Sequence, residues 1–165
     1  LRLSQTKFFR YDWIWHKTTS TGFLNAKKMP LKAHDTISVF YKSLPKYNPQ
    51  KTFGHVRKSA KRINKSEIYG RTDEEISYSS TERYPRSVLT FRHDRYVKKL
   101  HPTQKPVALL EYLIKTYTDE NDTVLDFTMG SGSTGEAATK LDRNFIGIEK
   151  SAKYSEIAAN RLKGK

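Results

Sequence analysis

The chain has 165 residues and a formal net charge of +14, from 31 Lys and Arg against 17 Asp and Glu. Its hydrophobic fraction of 36%, with ten Tyr, eight Phe and two Trp, is enough for a core and excludes a wholly disordered protein. The absence of Cys excludes disulfides and thiolate chemistry, and no apolar run approaches the roughly 18 residues of a membrane-spanning helix. We therefore expect a cytosolic protein whose partner is a polyanion, nucleic acid before an anionic membrane.

The positive charge lies in the first 100 residues. Residues 1–100 contain 22 basic and 8 acidic side chains, whereas residues 101–165 contain nine of each. This distribution predicts a surface that meets a polyanion, joined to a neutral core with a different task. The alternative is a lysine-rich face that serves only solubility.

The N-terminal part of the chain predicts two strands. Aromatic side chains alternate with other residues over residues 8–16, which is the period of a half-buried strand. A second strand is predicted over residues 36–41, after a polar loop rich in lysine. We expect the aromatic row to pack in the core rather than to stack on bases; its members are Phe9, Tyr11, Trp13 and Trp15.

Residues 42–100 show no sustained period. Pro and Gly interrupt them five times, and the Ser- and Thr-rich residues 77–81 are typical of a loop. We interpret this stretch as an irregular basic insertion that contacts DNA phosphates, the alternative being a solvated basic face. With two lysines nearer the N-terminus, the candidate DNA contacts are Lys27, Lys28, Arg57, Lys58, Lys61, Arg62 and Lys65.

From residue 101 onward the pattern is that of an α/β unit. Pro106 is a favoured first residue for the amphipathic helix that follows it. Residues 123–127 and 145–149 are short apolar runs typical of buried parallel strands, and a glycine-rich turn and a helix join them. This order predicts a βαβ unit. A last helix is capped by Ser151 and has one apolar face, formed by Tyr154, Ile157, Ala158 and Leu162.

The glycine-rich turn is the candidate ligand site. Residues 130–135 spell G-x-G-x-x-G, and Glu149 at the tip of the next strand is placed to accept hydrogen bonds from a ribose. Asp126 ends the preceding strand, three residues before the first glycine. That gap and the acidic strand end favour S-adenosylmethionine, which carries an ammonium and a sulfonium, over a dinucleotide. A nicotinamide-dependent oxidoreductase is the distant alternative.

Three short stretches carry a family resemblance. Residues 126–134 read Asp-Phe-Thr-Met-Gly-Ser-Gly-Ser-Thr, residues 101–106 read His-Pro-Thr-Gln-Lys-Pro, and residues 145–149 read Phe-Ile-Gly-Ile-Glu. They resemble the cofactor loop, the motif that precedes it and the ribose-binding strand of the permuted, beta-class DNA amino-methyltransferases. By this resemblance the cofactor-binding residues are His101, Thr103, Gln104, Lys105, Asp126, Phe127, Thr128, Gly130, Ser131, Gly132, Thr134 and Glu149. Ser133 stands where the family usually has Thr, and the adjacent Thr134 is the expected substitute.

The resemblance covers nearly the whole chain and implies an α/β, Rossmann-like S-adenosylmethionine-dependent methyltransferase fold with an incomplete sheet. Residues 1–42 would belong to the catalytic core, residues 43–100 to the target-recognition region, and residues 101–165 to the cofactor-binding part of the core. The implied activity is methyl transfer from S-adenosylmethionine to an exocyclic amino group in double-stranded DNA, with adenine N6 favoured over cytosine N4. A homodimer stays open, and no metal and no membrane partner is expected.

The family's catalytic tetrapeptide, Asp/Asn/Ser-Pro-Pro-Tyr/Phe, is absent from these residues, whose six prolines include no adjacent pair. The resemblance places the tetrapeptide upstream of Leu1, and leaves the strands around Trp13 and Val39 unpaired with those around Val124 and Ile146. We expect no catalytic residue in this chain and no activity from it alone, because nothing in it orients the amino group that accepts the methyl. The alternative from another class is a non-catalytic DNA-binding remnant.

Overall fold

The computed structural model describes residues 2–63, 68, 75–93 and 100–163. The chain forms two compact units, one of Leu1–Asn48 with Arg86–Lys165 and one of Pro49–Pro85. The strands are β1 (Phe9–Thr21), β2 (Lys32–Phe40), β3 (Lys58–Ile63), β4 (Glu75–Ser80), β5 (Val88–Phe91), β6 (Thr123–Asp126) and β7 (Asn144–Gly147). The helices are α1 (Val107–Tyr117), α2 (Ser133–Lys140) and α3 (Ala152–Lys163), and short 3-10 turns cover Arg2–Ser4 and Phe23–Asn25.

The N-terminal strands are confirmed and belong to a three-stranded sheet of order β2-β1-β5. β1 pairs with β2 antiparallel and with β5 parallel. β1 runs to Thr21, beyond the predicted residues 8–16, and Lys17 within this extension is buried and pairs with Asp35 of β2 at 3.0 Å. Because a buried ammonium is tolerated when a carboxylate partners it, this pair lets a lysine occupy the inner face of the strand.

The tryptophans of β1 lie in the core, as the sequence predicts. Trp13 and Trp15 are 4% and 1% exposed and pack with Leu89 of β5 and Leu109 of α1. Their indole N–H groups are satisfied: Trp13 Nε1 donates to the Tyr117 hydroxyl at 2.6 Å, and Trp15 Nε1 donates to a β5 carbonyl oxygen at 3.0 Å. The core between this sheet and α1 therefore has no unpaired indole to destabilise it.

The prediction of irregular structure throughout residues 42–100 is wrong in two places. The serine-rich residues predicted as a loop form β4, which pairs antiparallel with β3 from Lys58↔Ser80 to Ile63↔Glu75. β5 also lies within this stretch and joins the first sheet. A hairpin with largely exposed side chains has no apolar alternation for the sequence to reveal, and a four-residue strand is too short to show a period. The second unit, Pro49–Pro85, is also narrower than the insertion that the sequence predicts.

The βαβ unit is confirmed, with β6 and β7 parallel from Thr123↔Asn144 to Asp126↔Gly147 and α2 between them. Helices α1 and α2 pack on one face of this pair, where Ile114, Ala137 and Ala138 meet side chains of both strands. The prediction that both strands are buried is wrong for the other face. Leu125 and Ile146 are 56% and 54% exposed, because the described helices cover one face only.

No strand in the described part of the chain joins the two sheets of the first unit. β2 and β6 therefore each have an open edge. A cavity of 520 Å³ lies between β2 and α1, with Trp15, Ile37, Leu109 and Leu113 in its walls. This separation agrees with the incomplete sheet that the resemblance predicts. Over the same described residues, no helix is long and apolar enough to span a membrane.

Candidate functional site

The turn between β6 and α2 has a backbone that requires glycine. Gly130 and Gly132 have φ angles of +54° and +75°, in the left-handed region that other residues seldom adopt. A Cβ on Gly130 would lie 3.4 Å from the His101 ring, and one on Gly132 would lie 3.0 Å from the Cβ of Ala158 on α3. The turn is therefore held closely on both sides, by residues 101–105 and by α3.

Asp126 ties the two ends of this turn together. Its Oδ1 accepts a hydrogen bond from the Thr128 backbone N–H at 3.0 Å, and its Oδ2 accepts one from the Thr134 hydroxyl at 2.6 Å. Thr134 thus contacts the acidic strand end, which fits its expected role as the substitute for the family's threonine. Ser133 instead lies buried beneath the turn.

Glu149 holds the same turn from the end of β7. Its Oε2 accepts a hydrogen bond from the Gly130 N–H, and its Oε1 accepts one from the Ser151 N–H, each at 2.9 Å. The amide of Ser151, then that of Gly130, and the nearby His101 imidazole hold the pKa of Glu149 below its ordinary 4.5. Glu149 is therefore ionised at neutral pH, and a second carboxylate, Asp126, lies on the other side of the turn.

A cavity of 220 Å³ lies between the turn and residues 101–105. Nine predicted cofactor residues line it, with Leu110, Met129 and Ser133: His101, Thr103, Gln104, Lys105, Asp126, Thr128, Gly130, Ser131 and Thr134. The structure does not bring the other three into the wall. Phe127 is 72% exposed, Gly132 faces α3, and Glu149 reaches the wall through its bond to Gly130.

Hydrogen bonds and ring contacts fix residues 101–105 against the turn. The buried Gln104 Oε1 accepts from the Leu100 N–H at 3.1 Å and from the Ser131 hydroxyl at 3.4 Å. The His101 ring packs edge-on against Tyr154 of α3, with centroids 4.3 Å apart, and its Nδ1 accepts from the Thr103 N–H at 3.2 Å. The two stretches that the resemblance singled out therefore form one cavity.

The sequence analysis missed Arg161, which lies behind the turn. This α3 residue is 12% exposed; it donates to the Ser131 carbonyl oxygen and to the Ser133 hydroxyl, each at 3.2 Å, and forms an ion pair with Glu136. Arg161 is seven residues after Tyr154 and three after Ala158, on the face that the sequence predicts to be buried. A charged residue on an apolar face was the signal that could have found it.

The basic candidates occupy both units. Lys27 and Lys28 are exposed in the turn between β1 and β2, in the first unit. Arg57, Lys58 and Lys61 are exposed at the hairpin of the second unit. Arg57 donates to the Ser79 hydroxyl at 3.2 Å, and Lys61 pairs with Glu75 at 2.7 Å. The remaining candidates, the Arg62 side chain and Lys65, lie outside the described residues, and within those residues no group of three His, Asp or Glu could hold a metal ion.

Comparison with protein families gives the chain its identity. A family model described as DNA methylase, for enzymes of the N6 and N4 amino type, matches residues 2–160. The chain belongs to this DNA methylase family. The confirmed β6–turn–α2–β7 unit and the cavity beside it are therefore features of a methylase fold.

Curated relatives of this DNA methylase chain are Type II methyltransferases. The chain is 47% identical to M2.LlaDCHI of Lactococcus lactis subsp. cremoris over 74 residues, which cover 45% of the chain and 27% of that protein. It is 34% identical to M.BglII of Bacillus subtilis over 145 residues, which cover 86% of the chain and 39% of that protein. The chain thus spans less than half the length of the curated relatives it matches.

Solved structures of DNA methylases share the fold. The chain is similar to M1.HpyAVI in its complex with S-adenosylmethionine, with a TM-score of 0.64 and 29% identity over 97% of this chain and 65% of that one. It also resembles the fold of a DNA modification methylase from Thermus thermophilus in its complex with S-adenosylmethionine, with a TM-score of 0.56 and 21% identity over 99% of this chain and 59% of that one. The Rossmann-like methyltransferase fold predicted from the sequence is confirmed.

Proposed function

We propose that this chain binds S-adenosylmethionine beside the glycine turn and carries the cofactor-binding and DNA-recognition parts of an amino-methyltransferase. The observation that carries the proposal is the 220 Å³ cavity that joins residues 101–105 to the turn. Asp126 and Glu149 each bond the turn, so that two carboxylates flank it. Family membership and the M1.HpyAVI complex with S-adenosylmethionine support the same assignment.

The residues of the turn fit the chemistry of this cofactor. S-adenosylmethionine has a cationic ammonium and sulfonium, both of which two nearby carboxylates attract. Each carboxylate oxygen keeps acceptor capacity beyond its bond to the turn, so that Glu149 is able to receive a ribose hydroxyl. The first turn of α2 adds backbone N–H groups for the cofactor's carboxylate. A dinucleotide would instead place a doubly charged pyrophosphate beside Asp126. The bound cofactor supplies an electrophilic methyl group, and these side chains hold and orient it.

Calorimetry with the cofactor and its competitor tests this assignment. We expect S-adenosylmethionine and S-adenosylhomocysteine to bind and NAD not to bind. Asp126→Ala removes a charged acceptor and should weaken binding by about 1–3 kcal/mol. Glu120→Ala, an exposed acid in the turn between α1 and β6, is the matched control and should leave binding unchanged. Binding of NAD without a response to S-adenosylmethionine would overturn the proposal.

The proposed DNA contacts lie on the hairpin of β3 and β4. Arg57, Lys58 and Lys61 are exposed there, and phosphate contacts of this kind release counterions from DNA. We expect removal of Lys58 and Lys61 together to weaken binding to all sequences alike and to reduce the salt dependence by up to about two units of slope. The control is removal of Lys153 and Lys163, two exposed lysines of α3. A salt dependence equal in both double variants would refute a hairpin contact.

The proposed reaction joins the cofactor's methyl to an exocyclic amino group of a base, with adenine N6 favoured. The tetrapeptide that accepts hydrogen bonds from that amino group is not among the 165 residues. We therefore propose that methyl transfer requires a segment that bears it. The match to M1.HpyAVI, of which one third has no counterpart in this chain, supports that view.

A further inference from the structure

We propose that α3 braces the cofactor turn and that Arg161 is a positioning residue for cofactor binding. This inference rests on the proposed function. Three α3 residues on one helix face contact the walls of the site: Tyr154 packs on His101, Ala158 packs on Gly132, and Arg161 bonds the turn. Their spacing of four and three residues places them along one stripe of the helix. α3 therefore contacts the site along two helical turns.

Arg161 makes the only charged contact of this stripe in the described part of the chain. One of its terminal nitrogens, Nη1, donates to the Ser131 carbonyl oxygen and the Ser133 hydroxyl at 3.2 Å each, and to the Ser131 hydroxyl at 3.5 Å. These acceptors flank Gly132, whose φ is +75°. A planar guanidinium with several fixed donors holds a carbonyl and hydroxyls at once, which a single ammonium does less well.

The contact reaches the cavity through a second residue. Ser131 donates to Gln104 Oε1 at 3.4 Å, and both Ser131 and Gln104 line the cavity, whereas Arg161 does not. Arg161 thus acts on the site through the turn. A shift of Ser131 or Ser133 would redirect the N–H groups at the start of α2, which the proposed function assigns to the cofactor.

The charge of Arg161 is compensated within the brace. Glu136 of α2 pairs with it, and Lys140 completes the network at 3.0 Å from Glu136 and 3.5 Å from Glu111. Because Glu136 neutralises the guanidinium, Arg161 adds little positive potential to a site that is proposed to hold a cationic cofactor. The arrangement supplies donors to the turn without repelling the ligand.

Replacement of Arg161 with Met tests the brace against a matched arginine. Arg143 is a comparable clamp that does not bond the turn: its Nε donates to the Thr118 hydroxyl at 3.0 Å and its Nη2 to the Thr118 carbonyl at 2.9 Å. We expect Arg161→Met to weaken S-adenosylhomocysteine binding at least tenfold in calorimetry, and Arg161→Lys to restore it only partly. Arg143→Met should lower the melting temperature but change affinity less than twofold. Equal losses of affinity in the two Met variants would overturn the proposal.

Two further measurements keep the test decisive. Ser133→Ala removes a single acceptor; we expect it to weaken binding about threefold alone and to add nothing in the Arg161→Met background. Additive losses would contradict a shared contact. Amide hydrogen exchange of the ligand-free protein should rise at residues 130–134 in Arg161→Met and not in Arg143→Met. This readout needs no ligand, so that it separates failure of the brace from failure of the proposed cofactor.

Discussion

Asp126 and Glu149 each hold the backbone of the turn and also face or flank the cavity. Asp126 bonds Thr128 and Thr134, and Glu149 bonds Gly130 and Ser151. Substitution of either acid therefore removes a ligand contact and loosens the turn that presents the other ligand groups. Effects on affinity at this site include both contributions.

Glu149 gives the turn a dependence on pH. Because hydrogen bonds from backbone amides lower its pKa in the folded protein, its stabilising effect is present above the ordinary value of 4.5 and is lost as the pH falls through the lowered pKa. We expect the melting temperature to fall with acidification below pH 4.5, and to fall less steeply in Glu149→Gln. Calorimetric scans across this range measure the difference. Glu120→Gln should keep the wild-type profile, and an acid response in Glu149→Gln equal to wild type would contradict this role.

At the scale of residues, local motifs predicted most of the cavity wall. His101 to Lys105 and Asp126 to Thr134 are short stretches whose members are neighbours in sequence, so that one motif identifies several wall residues at once. Arg161 was not found because its acceptor Ser131 is 30 residues away along the chain. No local pattern in the sequence pairs a helix arginine with a turn that far upstream.

At the scale of elements, α3 and the glycine turn depend on each other. Gly132→Ala places a methyl 3.0 Å from the Cβ of Ala158 and 3.2 Å from its Cα, on a backbone with φ of +75°. We expect it to cost about 1–2 kcal/mol for the left-handed conformation and about 1–3 kcal/mol more for overpacking. Chemical denaturation measures the loss.

The control for this substitution is Gly22→Ala in the same unit. Gly22 has a φ of +89° and nothing within 4 Å of its would-be Cβ, so that it shares the strain but not the steric conflict. We expect Gly22→Ala to cost only the conformational part. Equal losses of stability in the two variants would show that α3 does not pack closely on the turn.

The elements that the sequence predicted well are those whose pairing is local. β6 and β7 are joined by one helix, and their bounds agree with the predicted runs to within two residues. β5 was missed because its partner is remote: Val88 pairs with Ile14. β3 and β4 were missed because exposed Ser and Lys side chains leave no hydrophobic period.

At the scale of the molecule, the open edges and the bare face of β6 and β7 dominate. Leu125, Phe127, Ile146 and Ile148 are each more than half exposed, and β2 and β6 each lack a second neighbour among the described strands. Apolar side chains beside unpaired strand edges favour association with other chains. This surface is the physical basis of the expected marginal stability.

We expect the isolated chain to associate and to transfer no methyl groups. Addition of an upstream segment that bears the Asp-Pro-Pro-Tyr motif should yield a well-defined species with cooperative unfolding and DNA methylation. Sedimentation velocity and transfer of labelled methyl to DNA measure the two properties. The control is Leu125→Lys with Ile146→Lys in the isolated chain, which should reduce association without giving activity. Robust methylation by residues 1–165 alone would show that the catalytic group lies within them.

The two tryptophans give this molecule an optical probe of one sheet only. Trp13 and Trp15 both lie on β1, and the cofactor-binding residues 101–165 contain none. Their fluorescence therefore reports the β2-β1-β5 sheet, while circular dichroism is dominated by α1, α2 and α3. The two signals change together under denaturant only when the sheets unfold as one cooperative unit. The distance between their midpoints thus measures the coupling between the N-terminal sheet and the cofactor-binding part.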